Sequence, residues 1–224
     1  MDMGDKPGDR APAVPLKVDT FGRILLLEDA AGRFVRRDIG GAPWWARWLG
    51  RALAAREARV LGALTAGHWL PRLLRWDGVH LDRSYLAGDA MWERPPRGDV
   101  AYFRAARRLL LRLHRQGVVH NDLAKEANWL VLADGGPGVV DFQLAMVGPP
   151  RARWLRLLAR EDLRHLLKHK RMYCRDRLTP VEHRLLGRTS WVRDAWFATG
   201  KPVYRLVTRR MLRWRDNEGR GPRP

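Results

Sequence analysis

The stretch His120 to Trp129, HNDLAKEANW, sets Asn121, Asp122, Lys125, Glu126 and Asn128 between the apolar runs GVV and LVL, and Asp141 closes the next apolar run, GVVD. Two carboxylates and a carboxamide that converge on one mouth suit a particular chemistry. Two of the groups Asp122, Asn128 and Asp141 can hold Mg²⁺, which takes oxygen ligands and usually shares them with substrate phosphates. The third can orient a hydroxyl for attack. The bland alternative is that Asp122 and Asn128 only cap a turn.

Positioning such groups needs rigid elements on both sides. Val118 and Val119 read as a short strand before the polar loop. WLVL reads as another after it, turning at Asp134 to Gly136 into GVVDFQLA. Upstream, GRILLLED and RFVRRDI read as a hairpin turning at Ala30 to Gly32. PWWARWLGRALAAREARVLGAL reads as a helix that Pro43 can start, with Leu49, Leu53, Val60, Leu61 and Leu64 recurring at helical spacing. Glu57 falls on that apolar face, where an unpaired carboxylate would be costly. A cationic partner is therefore expected. Two further strands are expected around Leu73 to His80 and Asp82 to Met91, then an irregular connector, MWERPPRGD. DVAYFRAARRLLLRLHRQG reads as an amphipathic helix capped by Asp99 and ended by Gly117. From Arg151 the chain reads as mainly helical, with breaks at Pro180, Gly187 and Gly200. The order implies an α+β fold: a loose arm over 1–15, a small β-rich N-lobe over 16–92, a helical C-lobe over 93–214 and a flexible tail over 215–224.

The His120-Asn121-Asp122 triplet, Asn128 and Asp141-Phe142-Gln143 together resemble the catalytic core of the protein-kinase-like superfamily, whose pattern is H-R-D-x-x-x-x-N followed by D-F-G. Within it the chain resembles the small bacterial Rio-like and lipopolysaccharide-core-kinase group, over roughly Gly22 to Ala145. The resemblance implies a two-lobe kinase-like fold and transfer of the γ-phosphate of ATP to a hydroxyl, with Mg²⁺ as cofactor. It implies Asp122 as the catalytic base and Asn128 and Asp141 as metal ligands. Glu57 matches the helix glutamate that pairs with a strand cation, here Arg36 as first choice and Arg37 as second, since strand alternation lets one of them face the cleft. The sequence departs from the pattern in four places. No Gly-rich loop precedes the first strands, and an arginine replaces the strand lysine, keeping charge but not point-charge geometry. Five residues separate Asp122 from Asn128 instead of four, which sets Lys125 where protein kinases carry a lysine beside the transferred phosphate. Gln143 stands in place of the glycine of D-F-G. Asp162, in AREDLRHLL, resembles a structural aspartate of the second lobe in the lipopolysaccharide kinases.

Composition bounds the partners. Forty-three Lys and Arg against 24 Asp and Glu give a net charge of +19, which favours anionic partners. Arginine is scattered along the whole chain, as in a sequence written by a high-GC genome. One cysteine, Cys174, allows no internal disulfide or cysteine metal site and fits a reducing cytoplasm. The polar start, MDMGDKPGDR, has no apolar signal-peptide core, and no apolar run is long enough to span a membrane. A cytoplasmic location is expected, with peripheral membrane contact as an addition: Trp44, Trp45 and Trp48, with Arg47 and Arg51 among them, could lie on an anionic membrane or pack between lobes. No recognised nucleic-acid motif appears, and nucleic acid is not an expected partner. His165 and His169 have a zinc-compatible spacing but lack the glutamate of H-E-x-x-H, so they read as core or surface residues. The acceptor is expected to be a protein Ser/Thr hydroxyl, favoured narrowly, or a sugar of a lipopolysaccharide-like glycolipid. A pseudokinase that binds without turnover is the alternative from another functional class.

Overall fold

A computed structural model of the chain describes residues 13–65 and 67–187. The first sheet is built from β1 (Val14–Asp19), β2 (Gly22–Asp29), β3 (Gly32–Asp38), β4 (Leu73–Trp76) and β5 (His80–Ser84), in the order β1-β2-β3-β5-β4. Asx turns close the first two hairpins: Asp19 Oδ1 accepts from Phe21 N, and Asp29 Oδ1 accepts from Ala31 N, each at 2.8 Å. The strand at Val14 starts inside the segment expected to be a loose arm. The rest of that arm and the expected tail lie outside the described residues, as does the break expected at Gly200.

Helix α1 (Trp44–Ala63) crosses this sheet after β3. Its buried face differs from the expected one. Ala46, Gly50, Ala54, Ala58, Val60 and Leu61 are buried together with Glu57, whereas Leu49 and Leu53 sit at the margin. Small residues let the helix approach the sheet closely: a Cβ on Gly50 would stand 3.1 Å from Ile39 and from the Phe21 carbonyl. Ile39, Ala42, Ala54, Ala58 and Leu81 form a small core beneath it.

One of the two strands expected before the connector divides. β5 ends at Ser84, and β6 (Gly88–Ala90) leaves the first sheet to pair antiparallel with β8 (Trp129–Leu132), which also pairs with β9 (Pro137–Val139). The crossing between the lobes is thus made by a strand of the second sheet. Helix α2 (Val100–Arg115) begins at Asp99, whose Oδ1 accepts from Tyr102 N at 2.9 Å. Gly117, at φ +76°, turns the chain into β7 (Val118–Val119); a Cβ there would meet the Gly148 carbonyl at 2.1 Å. β7 pairs with β10 (Met146–Val147). α3 (Arg153–Tyr173) and α4 (Pro180–Gly187) complete the described chain, with the helical run broken before Pro180, which opens α4. The larger core joins α2, α3 and β7–β9 to Val60 and Leu61 of α1, so α1 serves both lobes.

Candidate active site

The catalytic-loop candidates come together between β7 and β8. Lys125 Nζ donates to Asp122 Oδ2 at 2.8 Å, and Asn128 Nδ2 donates to Asp122 O at 2.9 Å and to its Oδ2 at 3.1 Å. Both bonds to the Asp122 carboxylate fall on Oδ2. Val140 N donates to Asn128 O at 3.1 Å, which ties Asp141, the next residue, to the same loop. Asn121 and Asp141 are the two non-glycine residues with positive φ among those described, at 65° and 67°. Such strained backbone recurs at functional sites.

Buried groups beneath the loop hold it. Asp162, on α3, accepts from His120 N at 2.8 Å and Asn121 N at 3.0 Å, and lies 3.2 Å from His114 Nε2. The His120 ring is fully buried. Its Nε2 donates to Val140 O at 3.0 Å, and it packs on Phe142 with centroids 4.7 Å apart. His169 Nε2 donates to Leu123 O at 2.9 Å, so that nitrogen serves as a core donor and not as a metal ligand. The expected structural role of Asp162 thus has a specific form: one carboxylate fixes the backbone of the motif's first two residues.

The upper wall corrects the expected ion pair. Glu57 is fully buried, as its apolar face required, but it pairs with Arg83 of β5. Arg36 points to the opposite face of the sheet and forms a two-pronged bond with Asp82, at 2.7 Å from each nitrogen. Register decides this. β3 and β5 are antiparallel with Arg36 opposite Asp82 and Val35 opposite Arg83, so Arg83 shares the inner face with Val35 and Arg37. Arg37, the second choice, is the β3 cation that is buried there. Sequence reasoning missed Arg83 because it started the strand at Asp82. The signal was the alternation HLDRS, which puts Leu81 and Arg83 on one face.

Arg83 is the electrostatic centre of the cleft. Burial pulls its pKa down to about 10, the Asp141 carboxylate raises it and Arg37 lowers it; it stays charged at neutral pH. Around it lie three buried polar atoms without hydrogen-bond partners: Arg37 Nε, Glu57 Oε2 and Asp141 Oδ1. Buried polar atoms are normally satisfied, so the unpartnered donor on Arg37 and acceptors on Glu57 and Asp141 mark this region as a candidate site for a polar ligand. Among the described residues no group of three or more His, Cys, Asp or Glu could hold a metal. A site with two protein ligands, completed by phosphate oxygens, is the form Mg²⁺ usually takes. Asp141 Oδ1 fits it, and so does the Asn128 carbonyl, since its Nδ2 is committed to Asp122.

A β-rich lobe over a helical lobe, with these groups at the junction, is a protein-kinase-like fold. The chain belongs to the APH phosphotransferase enzyme family, whose profile matches residues 17–184. Among solved structures it is similar to the Rio2 kinase from Chaetomium thermophilum, with 16% sequence identity and a TM-score of 0.56. The match covers 75% of this chain and 60% of that one, and at this identity the likeness concerns the fold. No curated protein matches the chain.

Proposed function

We propose that the protein transfers the γ-phosphate of ATP to an acceptor hydroxyl, with Asp122 as base and Asn128 and Asp141 as ligands of Mg²⁺. The single observation that carries this reading is the unpartnered Asp141 Oδ1, buried beside Arg83 and tied by backbone to Asn128. Asn128 and Asp141 would hold Mg²⁺, which would supply positive charge against the charge that develops on the phosphate. Arg37 and Arg83 attract the upstream phosphates, with Glu57 fixing Arg83. Asp122 takes the proton of the acceptor hydroxyl as its oxygen bonds to the γ-phosphorus. The bond from that phosphorus to the β–γ bridging oxygen breaks, and ADP leaves. Lys125 places positive charge next to the transferred group. The acceptor is read as a protein Ser/Thr or glycolipid sugar hydroxyl.

Asp141→Ala should weaken Mg-ATP binding by at least about 10–100-fold, the span found when even outer partners of a metal site are lost. Calorimetry with and without Mg²⁺ measures it. Unchanged binding would remove Asp141 from the metal site. Labelled ATP incubated with protein and cell-envelope fractions identifies the molecule that gains phosphate. A chain that binds Mg-ATP and labels nothing would be the non-catalytic alternative.

The exposed tryptophans at the start of α1 support a further reading. Trp44 is 82% and Trp48 70% exposed, so they do not fill the core, and Arg51 lies exposed on the next turn. We propose peripheral contact with anionic membranes, since such rings suit an interface. No helix among the described residues is long and apolar enough to cross a membrane. Trp44→Ala with Trp48→Ala should abolish co-flotation with phosphatidylglycerol vesicles. Equal flotation of the variant would refute the contact.

A further inference from the structure

A cavity of about 720 Å³ opens beside the catalytic loop, with Ala124 and Glu126 on one wall and Lys168, Arg171, Met172 and Arg175 on the other. Its size is within the range of small-molecule sites. The loop wall is the segment that directly follows Asp122. The opposite wall is one face of α3 and the turn after it: His165, Lys168, His169 and Met172 recur at helical spacing. The bond from His169 to Leu123 O locks the two walls together.

The lining is mainly cationic. Burial lowers the pKa of His165 to about 4 and also lowers that of His169, so neither ring is charged at neutral pH. Lys168, Arg171 and Arg175 remain as cations against one carboxylate, Glu126. Arg171 and Arg175 are exposed at the rim, and neither is ion-paired with a described carboxylate. Two guanidinium forks with no anion to serve among the described residues suit phosphate or carboxylate oxygens. Met172 and Ala124 add apolar surface against which a ring can lie.

We infer that this cavity is the acceptor subsite and that the acceptor is an anionic sugar, carrying a phosphate or carboxylate that Arg171 and Arg175 bind while its hydroxyl faces Asp122. This assignment rests on the phosphotransferase reading for the role of the hydroxyl, but the cavity's preference for anions can be measured without turnover.

The experiment is calorimetry on the full chain with glucose 6-phosphate and glucuronate, each against glucose, and with a phosphoglycolipid in neutral detergent micelles. The charged sugars should bind at least about tenfold more tightly than glucose, with affinity falling as salt rises. Arg171→Glu with Arg175→Glu, at exposed positions where the fold is not at stake, should remove that margin and leave glucose unaffected. Micelle binding well above that of the free sugar phosphate would identify a lipid-borne acceptor, still anionic. A panel in which no charged sugar outbinds glucose, or a double variant that binds the charged sugars as wild type does, overturns the inference. Charged-sugar preference in a protein that never turns over ATP would instead sink the phosphotransferase reading and leave the anionic subsite standing.

Discussion

Asp122→Asn lowers phosphate transfer by roughly 10²–10⁴-fold, the span for losing a positioned acid or base, while Mg-ATP affinity changes little. The substitution keeps the size of the side chain and an oxygen that can accept from Lys125 Nζ and Asn128 Nδ2, the two donors on Asp122 Oδ2. What it removes is the charge that draws the acceptor proton, so the loss appears in turnover and not in nucleotide binding. On the proposed reading, Asp122 serves the acceptor hydroxyl. On the same reading, the nucleotide meets the unpartnered atoms around Arg83, Arg37 Nε and Asp141 Oδ1. Single-turnover assays with labelled ATP, beside calorimetry on the same preparation, separate the two quantities. Equal transfer by wild type and variant would show that HNDLAKEANW is not a catalytic loop. Loss of binding together with transfer would show that Asp122 holds the loop's shape and does no proton chemistry.

Asp162→Ala has the largest expected effect on stability. Its carboxylate is buried and accepts from two backbone amides, His120 N and Asn121 N, in addition to facing His114. Removing it leaves His120 N unpaired in the core and Asn121 N unpaired at a partly buried position. Each unsatisfied buried donor costs about 1–3 kcal/mol, so destabilisation of about 2–6 kcal/mol follows. Denaturant unfolding followed by tryptophan fluorescence measures it. Asp162→Asn tests the cause more sharply: it fills the same space, yet turns an amide group toward at least one of those donors, so it should recover little of the lost stability. A variant within about 0.5 kcal/mol of wild type, the usual range for surface changes, would mean that the loop is held by other contacts. The His120–Val140 and His169–Leu123 bonds are the ones that would then have to suffice.

The two predictions differ in how far the sequence anticipated them. Asp122 stood out from residue types and short spacing alone. Asp162 was recognised as structural, but nothing within AREDLRHLL says that it reaches across to residues 120 and 121. That reach depends on how α3 packs under β7, a relation between segments about forty residues apart.

The sequence by itself determined the elements whose causes are local. Hairpin turns follow from Asp19, Asp29 and Gly32, the limits of α2 from Asp99 and Gly117, and the convergence of Asp122, Lys125 and Asn128 from one short loop between apolar strands. It also determined that Glu57 would be buried and paired. The tertiary structure alone decided the partner. Arg36, Arg37 and Arg83 are all cations on strands, and alternation says only that neighbours face opposite ways. Which strand lies beside β3, and in which register, fixed Arg36 on Asp82 at the outer face and brought Arg83 and Arg37 inward around Glu57 and Asp141. Register is a non-local property, set by which faces of β3 and β5 are buried beneath α1. The same reason hid the basic cavity: its walls are the loop at 124–126 and the end of α3, which share one space only after the C-lobe has folded.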